Sequence, residues 1–126
     1  MRRCFNILSN QLLSKRLKLH EVTPRDGLQN EKSILTIQQR QELIQKLSRV
    51  NPSGIELTSF VRGDRVPTLA GASELCERLK SDEEFLNFKS KGGYAAALVP
   101  NMKGLEEVSK SVYSFSTILK SHDYSL

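Results

Sequence analysis

The sequence predicts an α/β fold built on a parallel sheet, and three observations lead to this prediction. Strand-like and helix-like segments alternate three times along the chain. One strand segment, Tyr94–Val99, is a near-continuous apolar run, as in strands buried on both faces. The segments between strands are long enough for the helical crossovers that join parallel strands. With 126 residues, the chain has room for one domain at most.

The first strand–helix unit consists of a strand at residues 17–23 and a helix that begins near Thr36 and ends near Val50. The run Thr36-Ile37-Gln38-Gln39 fits a capping box, in which the Thr hydroxyl and the Gln amide satisfy backbone groups at the helix start. The apolar spacing predicts which side chains face the core. The core face is Leu43, Ile44 and Leu47, and the solvent face is Arg40, Gln41, Gln45 and Lys46.

The second unit pairs a short strand, Gly54–Ser59, with a helix from near Thr68 to Lys80. The charged segment Ser81–Gly93 that follows is predicted to be a surface connection, with room for a turn of helix. The apolar strand at residues 94–99 opens the third unit, whose helix begins near Lys103 or Gly104.

The positive charge of the chain lies in an N-terminal arm. Residues 1–20 contain five basic residues and no acid, and the rest of the chain is balanced, so the net charge of +5 does not indicate nucleic-acid binding. Residues 1–17 combine Arg, Ser and apolar residues, as mitochondrial transit peptides do. A disordered basic tail is the alternative. No apolar run is long enough to cross a bilayer, so no membrane partner is expected.

The two cysteines, Cys4 and Cys76, do not indicate a disulfide framework, because one of them lies in the arm. Two separated cysteines and two histidines also lack the spacing of a zinc site. Cys76 occupies an apolar position of a predicted helix and is expected to be a buried small hydrophobe.

The candidate site lies where the first strand ends. Arg25 and Asp26 follow Pro24 in a polar loop just past that strand. Glu56 lies in the middle of the next strand, where a buried carboxylate is costly unless it is paired, and Arg25 is its predicted partner. Glu21 is expected to be a further inward-facing acid. From spacing alone, a surface ion pair in a turn is the more frequent explanation of an Arg–Asp pair.

These residues belong to a run that closely resembles the signature of hydroxymethylglutaryl-CoA lyases. The resemblance covers residues 17 to about 110, and it implies the first three strand–helix units of a (β/α)8 TIM barrel at residues 18–110, with a divergent tail at 111–126. The matching segments are Glu21-Val22-x-Pro24-Arg25-Asp26-Gly27-Leu28-Gln29-Asn30-Glu31, Ile55-Glu56-x-Thr58-Ser59-Phe60-Val61, Val66-Pro67 and Pro100-Asn101-x-Lys103-Gly104. Related acyl-transferring synthases typically carry Glu where Leu28 stands.

The resemblance implies a role for four residues. Asp26 would ligate a divalent metal (Mg²⁺ or Mn²⁺), Arg25 would stabilise the enolate that forms on the thioester, Glu56 would support Arg25, and Gln29 would line the substrate site. The implied substrate is an acyl-CoA, 3-hydroxy-3-methylglutaryl-CoA, which the family cleaves to acetyl-CoA and acetoacetate in leucine catabolism and ketone-body formation. The implied location is the mitochondrial matrix.

Other parts of the family pattern do not occur in this sequence. The family's His-x-His metal ligands and its Gly-rich loop with a catalytic Cys have no counterpart here, and three of eight barrel units are predicted. Arg62-Gly63-Asp64-Arg65 also replaces the family's usual Ser-Pro-Lys run. We therefore expect a truncated chain that is inactive alone. The alternatives are a non-catalytic fragment that associates with full-length subunits, or a related lyase or aldolase; a homo-oligomer is left open.

Overall fold

The computed structural model describes residues 17–111 and 117–120, which form a four-stranded parallel sheet with helices between the strands. The strands are β1 (His20–Glu21), β2 (Gly54–Ser59), β3 (Tyr94–Val99) and β4 (Thr117–Lys120), adjacent in that order. The helices are α1 (Ile37–Val50), α2 (Ala72–Leu79), α3 (Glu83–Ser90) and α4 (Met102–Ser111). The predicted α/β fold with a parallel sheet is confirmed.

The two predicted terminal segments, the N-terminal arm and the C-terminal tail, lie at the ends of the described part of the chain. Residues 1–16, which hold nearly all of the predicted targeting arm, lie outside the described part of the chain. In the tail, where no family strand was expected, residues 117–120 pair in parallel with β3. The three predicted strands are present, and this fourth strand extends the sheet beside them. No helix in the described ranges is long and apolar enough to cross a membrane.

The hydrophobic core lies between the sheet and its helices in two clusters. The larger cluster joins β2 and β3 to α1, α2 and α3 through Ile44, Ile55, Leu57, Leu75, Leu79, Phe85, Phe88 and Ala95. The second cluster joins the ends of the same strands to α2 and α4 through Phe60, Ala72, Cys76, Ala97, Val99 and Val108. Cys76 is a buried free thiol, as predicted, and burial raises its pKa to about 12, so it is a poor nucleophile.

At the N-terminal end of the sheet, a row of three residues forms a ring stack that crosses the strands. His20, Gly54 and Tyr94 are in register across β1, β2 and β3. The Tyr94 ring crosses over Gly54 and stacks on the imidazole of His20, with centroids 5.2 Å apart and planes at 9°. A Cβ at Gly54 would lie 2.3 Å from that ring. Any larger residue at position 54 would therefore break the stack.

The predicted helix from Thr68 to Lys80 is wrong in its first turn. Pro67–Leu69 form a separate 3-10 turn, and α2 begins only at Ala72. Gly71 separates the two with φ of +75°, a left-handed conformation that glycine adopts without strain. A Cβ there would also lie 2.7 Å from the Ile37 side chain, so the break brings α2 close to α1.

The segment Ser81–Gly93 is not the predicted surface connection, because it contains α3. Asp82 caps this helix by accepting a hydrogen bond from the backbone N–H of Phe85 at 3.1 Å. Its second carboxylate oxygen accepts hydrogen bonds from Gln41 and Gln45 of α1, at 2.7 and 2.6 Å. These two glutamines, predicted to face solvent, therefore connect α1 to α3.

We expect Asp82→Ala to destabilise the chain at neutral pH by about 1 kcal/mol, the usual cost of losing an N-cap. Burial raises the pKa of Asp82, but the hydrogen bonds from Gln41, Gln45 and the backbone outweigh this and hold its pKa below the ordinary value. A lowered pKa stabilises the fold above the unfolded-state pKa of about 3.9, and this contribution disappears as pH falls through the folded-state pKa. Urea unfolding at pH 7 and pH 3 should show the difference from wild type shrinking in acid. An undiminished difference at pH 3 would contradict this assignment.

Candidate active site

The candidate site forms where the chain leaves β1. Thr23–Gly27 form a single π-helical turn, in which the Asp26 N–H donates to the Val22 carbonyl at 2.7 Å. Pro24 is buried in the first part of this turn and ends the extended segment, so β1 is shorter than the predicted 17–23. The turn places Arg25 beside β2. Short π-helical turns of this kind occur frequently at functional sites.

Arg25 binds Glu56 through two parallel hydrogen bonds, as predicted. The Nε–Oε1 distance is 2.9 Å and the Nη2–Oε2 distance is 3.1 Å. Glu56 is only 2% exposed, so its carboxylate depends on this pairing. The fork geometry fixes the plane of the guanidinium as well as its position.

Asp26 lies on the solvent side of the same guanidinium. Its Oδ1 accepts from Arg25 Nη1 at 2.6 Å, and its side chain is 56% exposed. Glu21 does not join this group, contrary to the prediction of a further inward acid. It accepts hydrogen bonds from the side chain and backbone of Thr23, which lower its pKa. The site therefore contains one Arg between two carboxylates.

Asp26 is an oxygen donor of the type that Mg²⁺ and Mn²⁺ bind, but it does not form a metal site with its neighbours. Within residues 17–111 and 117–120, no three His, Cys, Asp or Glu side chains are grouped so that they could hold a metal ion. One Asp26 oxygen is also taken up by Arg25. The donor set of the described residues does not fit a complete metal site.

Gln29 lies in a cleft and not at the Arg25–Glu56 ion pair. It lines an open cleft of about 400 Å³ between the loops that follow β1 and β2, together with Lys32, Arg65 and Thr68. A second cleft of about 330 Å³ lies at the ends of β2 and β3 and includes Arg62, Asp64, Asn101 and Lys103. Arg62 and Asp64 form an exposed bidentate pair, at 3.0 and 2.6 Å.

Arg40 is a further polar residue that the sequence prediction placed wrongly. It was expected on the solvent face of α1, yet it is 1% exposed and reaches β2. The signal was present in the helical spacing, because Arg40, Ile44 and Ser48 are the three buried residues of α1 and recur every fourth position.

Comparison with known proteins supports the resemblance. The mitochondrial hydroxymethylglutaryl-CoA lyase of Rattus norvegicus is 45% identical over 97 residues, which are 75% of this chain and 27% of that protein. The lyase YngG of Bacillus subtilis is 39% identical over 92 residues, 73% of this chain and 28% of that protein. The chain thus spans less than a third of these relatives. No protein-family model matches it.

Solved structures give the same result for the fold. The HMG-CoA lyase of Bacillus subtilis superposes with a TM-score of 0.70 and 33% identity over 84% of this chain and 32% of that chain. An HMG-CoA lyase of Acinetobacter baumannii, in complex with coenzyme A and 3-methylmalate, gives 0.64 and 29% over 75% of this chain and 28% of that chain. In sequence and in fold, the chain therefore matches an N-terminal portion of the hydroxymethylglutaryl-CoA lyases.

Proposed function

We propose that this chain carries the enolate-stabilising part of a hydroxymethylglutaryl-CoA lyase site. The observation that supports the proposal most directly is the bidentate pair between Arg25 and the buried Glu56, at the strand end that carries catalytic groups in α/β barrels. The proposed parent reaction cleaves 3-hydroxy-3-methylglutaryl-CoA to acetyl-CoA and acetoacetate. An acyl-CoA is accordingly the proposed substrate class.

The proposed role of Arg25 follows from its free N–H groups. A guanidinium has five N–H donors, and three are used toward Glu56 and Asp26. One N–H on each terminal nitrogen remains for a substrate oxygen. Cleavage of the carbon–carbon bond places negative charge on the thioester oxygen, where a fixed cation stabilises the transition state. Glu56 would orient the guanidinium before the charge develops.

Asp26 is the one candidate ligand that the resemblance assigns in this chain, and its neighbours do not complete a site, so no chemical step is assigned to a metal here. Gln29 is proposed to line the substrate site from the cleft after β1.

We expect the isolated 126-residue chain to show no measurable lyase activity, because the family's His-x-His ligands and catalytic Cys loop are absent from its sequence. Joining residues 18–110 to the later strands of a family relative should give an active, metal-dependent barrel. The measurement is acetoacetate release with Mg²⁺ or Mn²⁺, against a metal-free control. Activity of the isolated chain would refute the first expectation, and an inactive but folded barrel would refute the proposed function.

A mitochondrial location is proposed from the N-terminal arm and from the mitochondrial relatives, although bacterial relatives match as well. We expect residues 1–17 to direct a fused fluorescent reporter to mitochondria and to be removed there, because the arm is basic and free of acids. The matched control replaces Arg2, Arg3 and Arg16 with Gln, which should leave the reporter in the cytosol. A cytosolic reporter with the unchanged arm would refute the proposal.

A non-catalytic role is the second candidate, and the sheet itself favours it. β1 and β4 are the outer strands of the described sheet, and each has an edge without a partner strand among the described residues. Such edges pair readily with other strands. Size-exclusion chromatography with and without a full-length lyase would distinguish a fragment that associates from one that stays monomeric.

A further inference from the structure

Strand β2 contains an irregularity directly beside the candidate site. Glu56 is opposite Ala96 of β3 and Thr58 is opposite Ala97, so Leu57 is an extra residue without a partner. This is a β-bulge, which shifts the alternation of all side chains that follow it. Bulges often occur beside active sites, where they change the direction of a side chain.

The neighbouring strand shows which way the shifted residues face. Ala95, Ala97 and Val99 of β3 all belong to the core clusters against the helices, so β3 alternates regularly. Thr58, opposite Ala97, therefore faces the helices, and Ser59, opposite Leu98, faces the same side as Glu56.

The bulge changes which residues of β2 border the site. A regular strand would place Phe60 on the same side as Glu56. In the structure, Phe60 instead packs in the second core cluster with Val108 of α4. The bulge thus keeps a large aromatic ring away from the site and leaves Ser59 beside Glu56.

Arg40 of α1 holds the strand just after the bulge. Its Nη2 donates to Thr58 Oγ1 at 2.7 Å, and its Nη1 donates to the Ala70 carbonyl, just before α2, at 2.8 Å. No carboxylate pairs with it in the described part of the chain, and its buried Nε has no hydrogen-bond partner there. Burial lowers its pKa. A buried cation without a counter-charge is costly, and an apolar side chain of similar length would avoid that cost.

We propose that Arg40 is a positioning residue, which holds the β2 bulge and so keeps Glu56 in the register that binds Arg25. The importance of Arg40 for catalysis rests on the proposed lyase site. Its effect on the pairing of Glu56 with Arg25 does not depend on that proposal. If the contact with Thr58 is lost, the strand just after Glu56 loses the hydrogen bond that fixes the bulge from its helix side, and only the apolar packing of Leu57 and Phe60 remains there. The carboxylate should then bind Arg25 less tightly.

The test measures the Arg25 Nε–H signal by NMR in the full 126-residue chain, together with its rate of exchange with water. In Arg40→Met this rate should rise by about tenfold or more, since opening of the pair controls exchange. Thr58→Val exchanges the hydroxyl for a methyl group of similar size, so it removes the acceptor of the Arg40 hydrogen bond and should act in the same direction. Arg40→Lys retains one donor group and should restore part of the protection. Arg49→Met, an exposed arginine on the same helix, is the matched control.

The outcomes separate this proposal from a purely structural role. A folded Arg40→Met chain with unchanged Arg25 exchange would overturn it. If Arg40→Met does not fold, Thr58→Val decides in the same way: faster exchange supports the proposal and unchanged exchange overturns it. The readout needs no catalysis, so an inactive completed barrel would reject the proposed function while leaving this result intact.

Discussion

Replacing Arg25 with lysine, in a barrel completed with the later strands of a family relative, is expected to lower turnover by about 10²–10³-fold. Lysine keeps the charge but loses the planar fork that binds both oxygens of Glu56 and still has N–H groups for the substrate. The thioester oxygen becomes negative only as the carbon–carbon bond breaks, so the lost interaction belongs to the transition state. The Michaelis constant should change little.

Steady-state kinetics of the Arg25→Lys barrel would check this expectation. Arg78→Lys is the matched control, because Arg78 also uses two nitrogens to bind a carboxylate, that of Glu74, on the exposed surface of α2. It should leave both kinetic constants unchanged. If Arg25→Lys raised only the Michaelis constant and left turnover intact, Arg25 would be a binding residue and the proposed role would be wrong.

Replacing Phe88 with alanine is expected to lower the free energy of unfolding by about 3–5 kcal/mol, the usual cost of truncating a buried aromatic residue. Phe88 is 1% exposed, belongs to the larger core cluster and lies 6.0 Å from the Phe85 ring. A Cβ at Gly93 would lie 2.1 Å from the Phe88 ring, so the chain passes very close to it. The alanine variant would leave a cavity between α3 and the sheet.

Urea unfolding of the isolated chain measures this loss. Leu86→Ala is the matched control, because Leu86 lies on the same helix and is 48% exposed. It should cost much less, since little apolar area is removed from the core. Equal losses in the two variants would mean that α3 is stabilised by its own helical propensity and not by packing.

Some features could be predicted from the sequence because they depend on neighbours within a few residues. The capping box of α1 is formed by Thr36 and Gln39, three positions apart, and the structure contains both of its hydrogen bonds. The alternation of side chains in a strand placed Glu56 opposite to Ile55 and Leu57, and the cost of burying its charge then required a cation. Arg25 was the nearest cation at the end of the adjacent strand. The role of this pair in catalysis stays a prediction.

Other features were predicted wrongly because their causes lie far away in the sequence. The burial of Arg40 depends on acceptors at Thr58 and Ala70, which are 18 and 30 positions away. The segment that forms helix α3 has the composition of a charged surface connection. Its two phenylalanines, Phe85 and Phe88, are buried because they pack in the core cluster that contains Ile44 of α1 and Ala95 of β3. The burial of a charged or mixed segment is decided by what packs against it.

By itself, the sequence determined the strand–helix alternation, the limits of α1, the relation to hydroxymethylglutaryl-CoA lyases and the pairing of Arg25 with Glu56. These follow from periodicity, local hydrogen bonds and a specific motif, all of which are encoded in short stretches of chain. Only the tertiary structure decided the β2 bulge, the buried position of Arg40 and the addition of β4 to the sheet. Each of these depends on the register between elements distant in sequence, and that register is set by packing and strand pairing rather than by local preference.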